Sequence, residues 1–125
     1  MNTILTPTEI SDFRAELSDY PQALVALDVV EDCEGDLEDA AIALAIHVGQ
    51  QPTTSEGWIA GLAKRWRPRL CQAELRADLE TNRVATTITQ LVTTNALPWE
   101  LATLVSIYAA KAGIDDFCKP LEEKL

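Results

Sequence analysis

Glycine is scarce in this chain, at five residues in 125. The five (Gly35, Gly49, Gly57, Gly61 and Gly113) are too scattered to cradle a phosphate, and no GxGxxG, GxxxxGK[ST] or GxSxG run occurs. Nucleotide-binding and α/β-hydrolase readings therefore lose their usual support. There is one histidine, His47, and three distant cysteines, Cys33, Cys71 and Cys118, with no HExxH, CxxC or paired Cys/His spacing. The chain thus has no zinc or dithiol motif, and no cofactor is expected. Three dispersed cysteines read as free thiols of a reducing compartment, so the expected location is cytoplasmic. The longest uncharged apolar run, Leu101 to Ala110, is far short of the roughly 20 residues that cross a bilayer. The first thirteen residues carry neither a basic n-region nor an apolar h-region, so no secretory leader is expected.

Bases are also scarce. Residues 1–63 hold twelve carboxylates and one base, Arg14, whereas residues 64–125 hold eight acids and nine bases. A net charge of −10 repels phosphates and anionic headgroups, making nucleic acid and membranes poor default partners. What the chain has in abundance is alanine (17) and leucine (16), the leaders of the helix propensity scale. Length and composition together predict a single all-α domain over residues 1–125.

The punctuation is helical. Thr6, Pro7, Thr8 and Glu9 spell a capping box with proline at the first helical position, and Ile10, Phe13 and Leu17 follow at helical spacing. Pro21 opens a second helix and Gly35 ends it. Asp36 caps a third from Leu37 to Val48, which Gly49 stops. After a loop at 50–54, Thr53 and Glu56 form another capping box ahead of Trp58, Ile59, Leu62 and Trp66. Pro68 breaks that helix, and a fifth is expected from about Arg69 to Glu80. Residues 84–94, VATTITQLVTT, pull two ways. Eight of eleven residues are β-branched, as in strands, yet Val84, Ile88, Leu91 and Val92 step by three and four. The spacing predicts a helix. Pro98 opens a last helix to Ala112, which Gly113 closes with Ile114 placed for a Schellman contact, followed by a short turn and a charged tail. The expected architecture is a compact bundle of about seven short helices. The third helix, apolar all round past its first turn, is expected at its centre, with the 98–112 helix as the other core candidate.

The stretch VVEDCEGDLEDAA, residues 29–41, is the densest charge feature. Asp28, Glu31 and Asp32 fall on one stripe of the second helix, and Glu34 lies at the turn. Asp36, Glu38 and Asp39 begin the third helix, where carboxylates meet free N–H groups and the positive dipole end. An EF-hand register fails, because placing Gly35 sixth would put Val30 first; no metal is expected. Crowded carboxylates disfavour a Cys33 thiolate. The reading is a helix–turn–helix corner with a solvated acidic edge, Asp28, Glu31, Asp32 and Glu34, suited to a basic partner.

A basic strip follows at Lys64, Arg65, Arg67, Arg69, Arg76 and Arg83, with Trp66 among them. Basic residues interleaved with an aromatic can grip phosphates and stack bases. However, Glu74, Asp78 and Glu80 dilute the strip, and the DNA-binding helix–turn–helix pattern that Thr86–Leu91 suggests fails at Asp78, Thr81, Asn82 and Arg83. Cys71, following arginines near a helix start, with His47 is the one conceivable Cys/His dyad. Three functional expectations result. The first is a non-enzymatic protein–protein interaction module using the acidic corner (28–39) and the basic strip (64–83), through a protein partner or self-association. The second is a small ligand-binding protein or enzyme with a pocket near His47 and Cys71. The third is weak nucleic-acid binding through residues 64–83.

Overall fold

The computed structural model describes residues 4–47, 58–95 and 97–122. Among them the chain forms nine helices: α1 (Pro7–Glu16), α2 (Pro21–Asp32), α3 (Leu37–His47), α4 (Trp58–Arg65), α5 (Arg67–Leu70), α6 (Ala73–Glu80), α7 (Ala85–Asn95), α8 (Trp99–Ala112) and α9 (Ile114–Glu122). The all-α class is as expected. The expectations for Val48, Gly49, the 50–54 loop, the Thr53/Glu56 capping box and the His47 side chain lie outside the described residues.

Local chemistry sets most boundaries. The Thr6 hydroxyl accepts from the Glu9 amide at 3.1 Å, while the Glu9 carboxylate accepts from the Thr6 amide at 2.9 Å, the reciprocal capping box of α1. Asp36 Oδ1 accepts from the amides of Glu38 and Asp39 at the head of α3. α2 ends in a Schellman motif: Gly35 N–H donates to the Val30 carbonyl and Glu34 N–H to that of Glu31. Glu34 holds the left-handed position, at φ 58°, where glycine is usual. The same pattern closes α6, with Asn82 at φ 60° and Arg83 N–H donating to the Asp78 carbonyl. α7 is helical despite its β-branched run. Val84, Ile88 and Leu91 are buried along one face, and the hydroxyls of Thr89 and Thr93 donate to carbonyls four residues back.

The boundaries in the second half of the chain depart from expectation. The Trp58 helix does end just ahead of Pro68, at Arg65, but Pro68 itself sits in the first turn of an unexpected four-residue helix, α5, where its missing N–H costs nothing. α6 accordingly starts later, after the Gln72 N-cap. Residues 114–122 are not a turn and tail. They form α9, which buries Ile114, Phe117 and Cys118 at helical spacing and carries Pro120 inside it. Gly113, at φ 90°, donates to Ala110, and Ile114 starts this new helix instead of completing a Schellman contact.

The core is centred on α8, not α3. Every residue from Leu101 to Ala110 is buried, and α8 touches α2, α3, α4, α6, α7 and α9. The buried hydroxyls of Thr103 and Ser106 are satisfied within the helix, Thr103 donating to Trp99 and Ser106 to Ala102. α3 buries Leu37, Ala40, Ala41, Leu44 and Ala45, but Ile46 is 65% exposed.

Cys71 and Cys118 are joined in a disulfide spanning 47 residues, with Cα atoms 5.8 Å apart. This overturns the expectation of three free thiols, and Cys33 alone is free among the described residues. No helix among them is long and apolar enough to cross a membrane.

Candidate functional site

The acidic half of the chain is partly consumed in building the fold. Glu16 Oε2 accepts from the amides of Val84 and Ala85, both at 2.9 Å, and so caps α7 from 68 residues away. Glu38 Oε1 accepts from the Ile59 amide and does the same for the head of α4. Each carboxylate satisfies amide donors that the first turn of a helix leaves without partners. Glu9 accepts from Lys111 Nζ at 2.8 and 3.0 Å, tying α1 to α8. Burial pushes the Glu9 carboxyl up, but the Lys111 hydrogen bond and the Thr6 amide outweigh it and leave the group below its ordinary value.

Two other acids, Glu31 and Glu34, line a groove between α1 and the end of α2. α1 presents Pro7, Ile10, Ser11 and Arg14 at intervals of three, four and seven, which is one stripe of a helix. Facing it are Glu31, Glu34 and Gly35 at the end of α2. Together they line a groove of about 470 Å³. The turn that forms its far wall is fixed by backbone alone. Leu5 N–H donates to the Gly35 carbonyl at 2.8 Å, and Ile4 and Asp36 form an isolated antiparallel bridge. The N-terminal segment is thus laid across the α2–α3 turn, which holds the start of α1 opposite Glu34.

Arg14 occupies one side of this groove. Its Nη1 meets Asp28 Oδ1 and its Nη2 meets Glu31 Oε2, each at 2.8 Å. Hydrogen bonds to Glu31 and then Asp28 raise the guanidinium above its ordinary value. Two of the four carboxylates of the acidic corner are therefore partnered internally. Asp32 and Glu34 are exposed and form no ion pair among the described residues. Cys33 lies between them, its thiol pushed up by burial and then by Asp39, Asp32 and Asp36, which suits neither a nucleophile nor a soft metal ligand.

The basic strip does not form one surface. Arg67 lies 4.8 Å from the centre of the Phe117 ring. Arg69 donates to Gln90 at 2.6 Å and to Gln72 at 3.4 Å. Arg76 pairs with Asp115 at 2.7 Å and with Glu80 at 3.9 Å. Lys64, Arg65 and Arg83 are exposed. Half of the strip therefore fastens α5 and α6 to α7 and α9. Cys71, one member of the conceivable dyad, is in the disulfide and has no thiol to offer.

Sequence reasoning placed Glu31 and Glu34 at the corner but missed Arg14, Ile10 and Pro7, which complete it. A signal for Arg14 existed, since it is the one base among 63 residues and a guanidinium matches the i,i+3 pair Asp28/Glu31. What was missing was the knowledge that α1 packs on α2. No family model, curated protein or solved structure matches the chain.

Proposed function

We propose that the chain is a helical protein–protein interaction module whose α1/α2 groove receives a cationic, partly apolar segment of a partner protein. The observation that carries this reading is the composition of the groove: the apolar Pro7, Ile10 and Gly35 together with the carboxylates of Glu34 and of Glu31, the latter shared with Arg14, and Asp32 exposed in the adjoining sequence. A leucine-like side chain would gain from covering the apolar residues, and an adjacent arginine would complement the carboxylates. The charge split favours a separate basic partner over a second copy, because Arg67, Arg69 and Arg76 are already engaged within the chain.

The test is fluorescence anisotropy with a labelled peptide of alternating arginine and leucine. Three proteins are compared at low salt: the wild type, Asp32→Lys/Glu34→Lys, and Glu74→Lys/Asp116→Lys. The last makes the same charge change at exposed positions away from the groove. The groove variant is expected to bind about tenfold more weakly, or about 1.4 kcal/mol, and the distant variant to stay within about threefold of wild type. Equal losses in both variants would mean that bulk charge, not the groove, attracts the peptide, and the reading would fall. Chromatography at low and high salt reports any head-to-tail association through Lys64, Arg65 and Arg83.

A further inference from the structure

We propose that Cys71 and Cys118 form a thiol–disulfide exchange site that latches α9 onto the α5–α6 junction and releases it when a dithiol reduces the bond. The two ends of the bridge differ in access. Cys118 is fully buried on α9, whereas Cys71 is half-buried at the C-cap of α5, one residue before the Gln72 N-cap of α6. A reagent can therefore approach the bridge from the Cys71 side. The same short helix carries Arg67 and Arg69, whose positive charges draw an anionic thiolate toward it.

The chemistry balances without a cofactor. A dithiol's thiolate attacks the Cys71 sulfur, the S–S bond breaks, and Cys118 leaves as the thiolate and takes up a proton. The second thiol of the reagent then attacks the mixed disulfide and releases Cys71. Two electrons and two protons pass from the reagent to the protein, and the reagent leaves as its own disulfide. Cys33 is a poor competitor in this exchange, because burial and the carboxylates around it keep it in the thiol form.

α9 is built so that the bridge matters to it. The other described contacts that hold it fall in its first turn. Ile114 and Phe117 are buried, Phe117 meets Tyr108 edge-on at 6.5 Å and lies under Arg67, and Asp115 pairs with Arg76. Past Cys118 the helix presents Lys119 and Pro120 to solvent. Pro120 lacks an N–H, and its ring crowds the carbonyl four residues back, which weakens the last turn. Cutting the bridge removes the covalent tie of a helix that packs on α5, α6 and α8.

The test uses the intact protein with dithiothreitol in native buffer, read by alkylation mass and by amide hydrogen exchange. Without reductant one cysteine is expected to alkylate after unfolding, and with it three. On reduction the amides of α9 are expected to exchange about tenfold faster or more through a local opening that low denaturant does not accelerate, while those of α2 and α3 still exchange through global unfolding, with its full denaturant dependence; reoxidation should reverse the change. The Cys71→Ser/Cys118→Ala variant should show the fast α9 exchange with or without dithiothreitol. A bridge that resists dithiothreitol until denaturant is added would overturn the proposal. So would unchanged α9 protection after reduction, or α9 amides that exchange only through global unfolding, with the same denaturant dependence as those of α2 and α3.

Discussion

Gly35→Ala is expected to cost about 3–5 kcal/mol of folding stability, from three sources that act together. The residue holds φ 86°, a region that costs an L-residue about 1–2 kcal/mol. An added Cβ would collide with the Leu5 carbonyl oxygen and would sit 3.3 Å from its carbon, both backbone atoms with little freedom to yield. Moving them would break the Leu5–Gly35 hydrogen bond, worth about 1 kcal/mol, and would lift the N-terminal segment off the α2–α3 turn. Gly113→Ala supplies the control. It too has a left-handed φ, at 90°, but a Cβ there meets nothing within 4 Å, so only the conformational cost of about 1–2 kcal/mol should appear. Urea unfolding followed by circular dichroism measures both. Equal costs for the two variants would show that the Leu5 approach does not constrain the corner.

The Cys71→Ser/Cys118→Ala variant is expected to lose about 3–4 kcal/mol and to melt about 10–15 °C lower than the oxidised wild type. The bridge closes a loop of 47 residues, and the chain-entropy estimate for that length is about 4 kcal/mol. Alanine is chosen at position 118 because that site is fully buried, and a hydroxyl there would add a desolvation cost unrelated to the cross-link. Serine is tolerable at half-buried Cys71. If the loss comes from the cross-link, reduced wild type should melt within a few degrees of the variant. Calorimetry in the presence and absence of reductant decides this. A variant that melts within about 3 °C of the oxidised wild type would show that the bridge contributes little.

Much of the fold is legible in the sequence because it is encoded over short distances. The Thr6/Glu9 box, the Asp36 cap, Pro21 as a helix opener and the three-four spacing of Val84, Ile88 and Leu91 all depend on residues within two turns of one another. That spacing overrode the strand preference of the threonines because the packed face of α7 stabilises the helix more than β-propensity opposes it. Failures came where the deciding partner is distant. The α9 helix carries Ile114, Phe117 and Cys118 at helical spacing, but Pro120 and the two aspartates mask a pattern only nine residues long. The disulfide joins residues 47 apart, and an odd cysteine count gave no hint of pairing. α3 looked central because it is almost entirely apolar; exposed Ile46 and the exposed Val25 of α2 show that an apolar residue need not face the core.

The candidate site divides along the same line. Glu31 and Glu34 were visible as part of an acidic corner. The groove was not, because its other wall comes from α1, and the depth between the walls is a tertiary property. The internal engagement of half the basic strip was hidden for the same reason: a four-residue helix turns Arg67 toward Phe117 and Arg69 toward Gln90. The acids were misjudged in purpose more than in place. Glu38 reads as a local carboxylate at the head of α3 and Glu16 carries no signal at all, yet both serve as caps of distant helices.

The most direct measurement is a two-dimensional amide NMR titration of the wild-type protein with the arginine–leucine peptide. Chemical-shift changes should concentrate at Ile10, Ser11, Arg14, Glu31, Glu34 and Gly35, the two walls of the α1/α2 groove, and should saturate together. Shifts spread over acidic residues on every face, such as Glu74, Glu100 and Asp116, or absent from both walls, would contradict a docking groove at this corner.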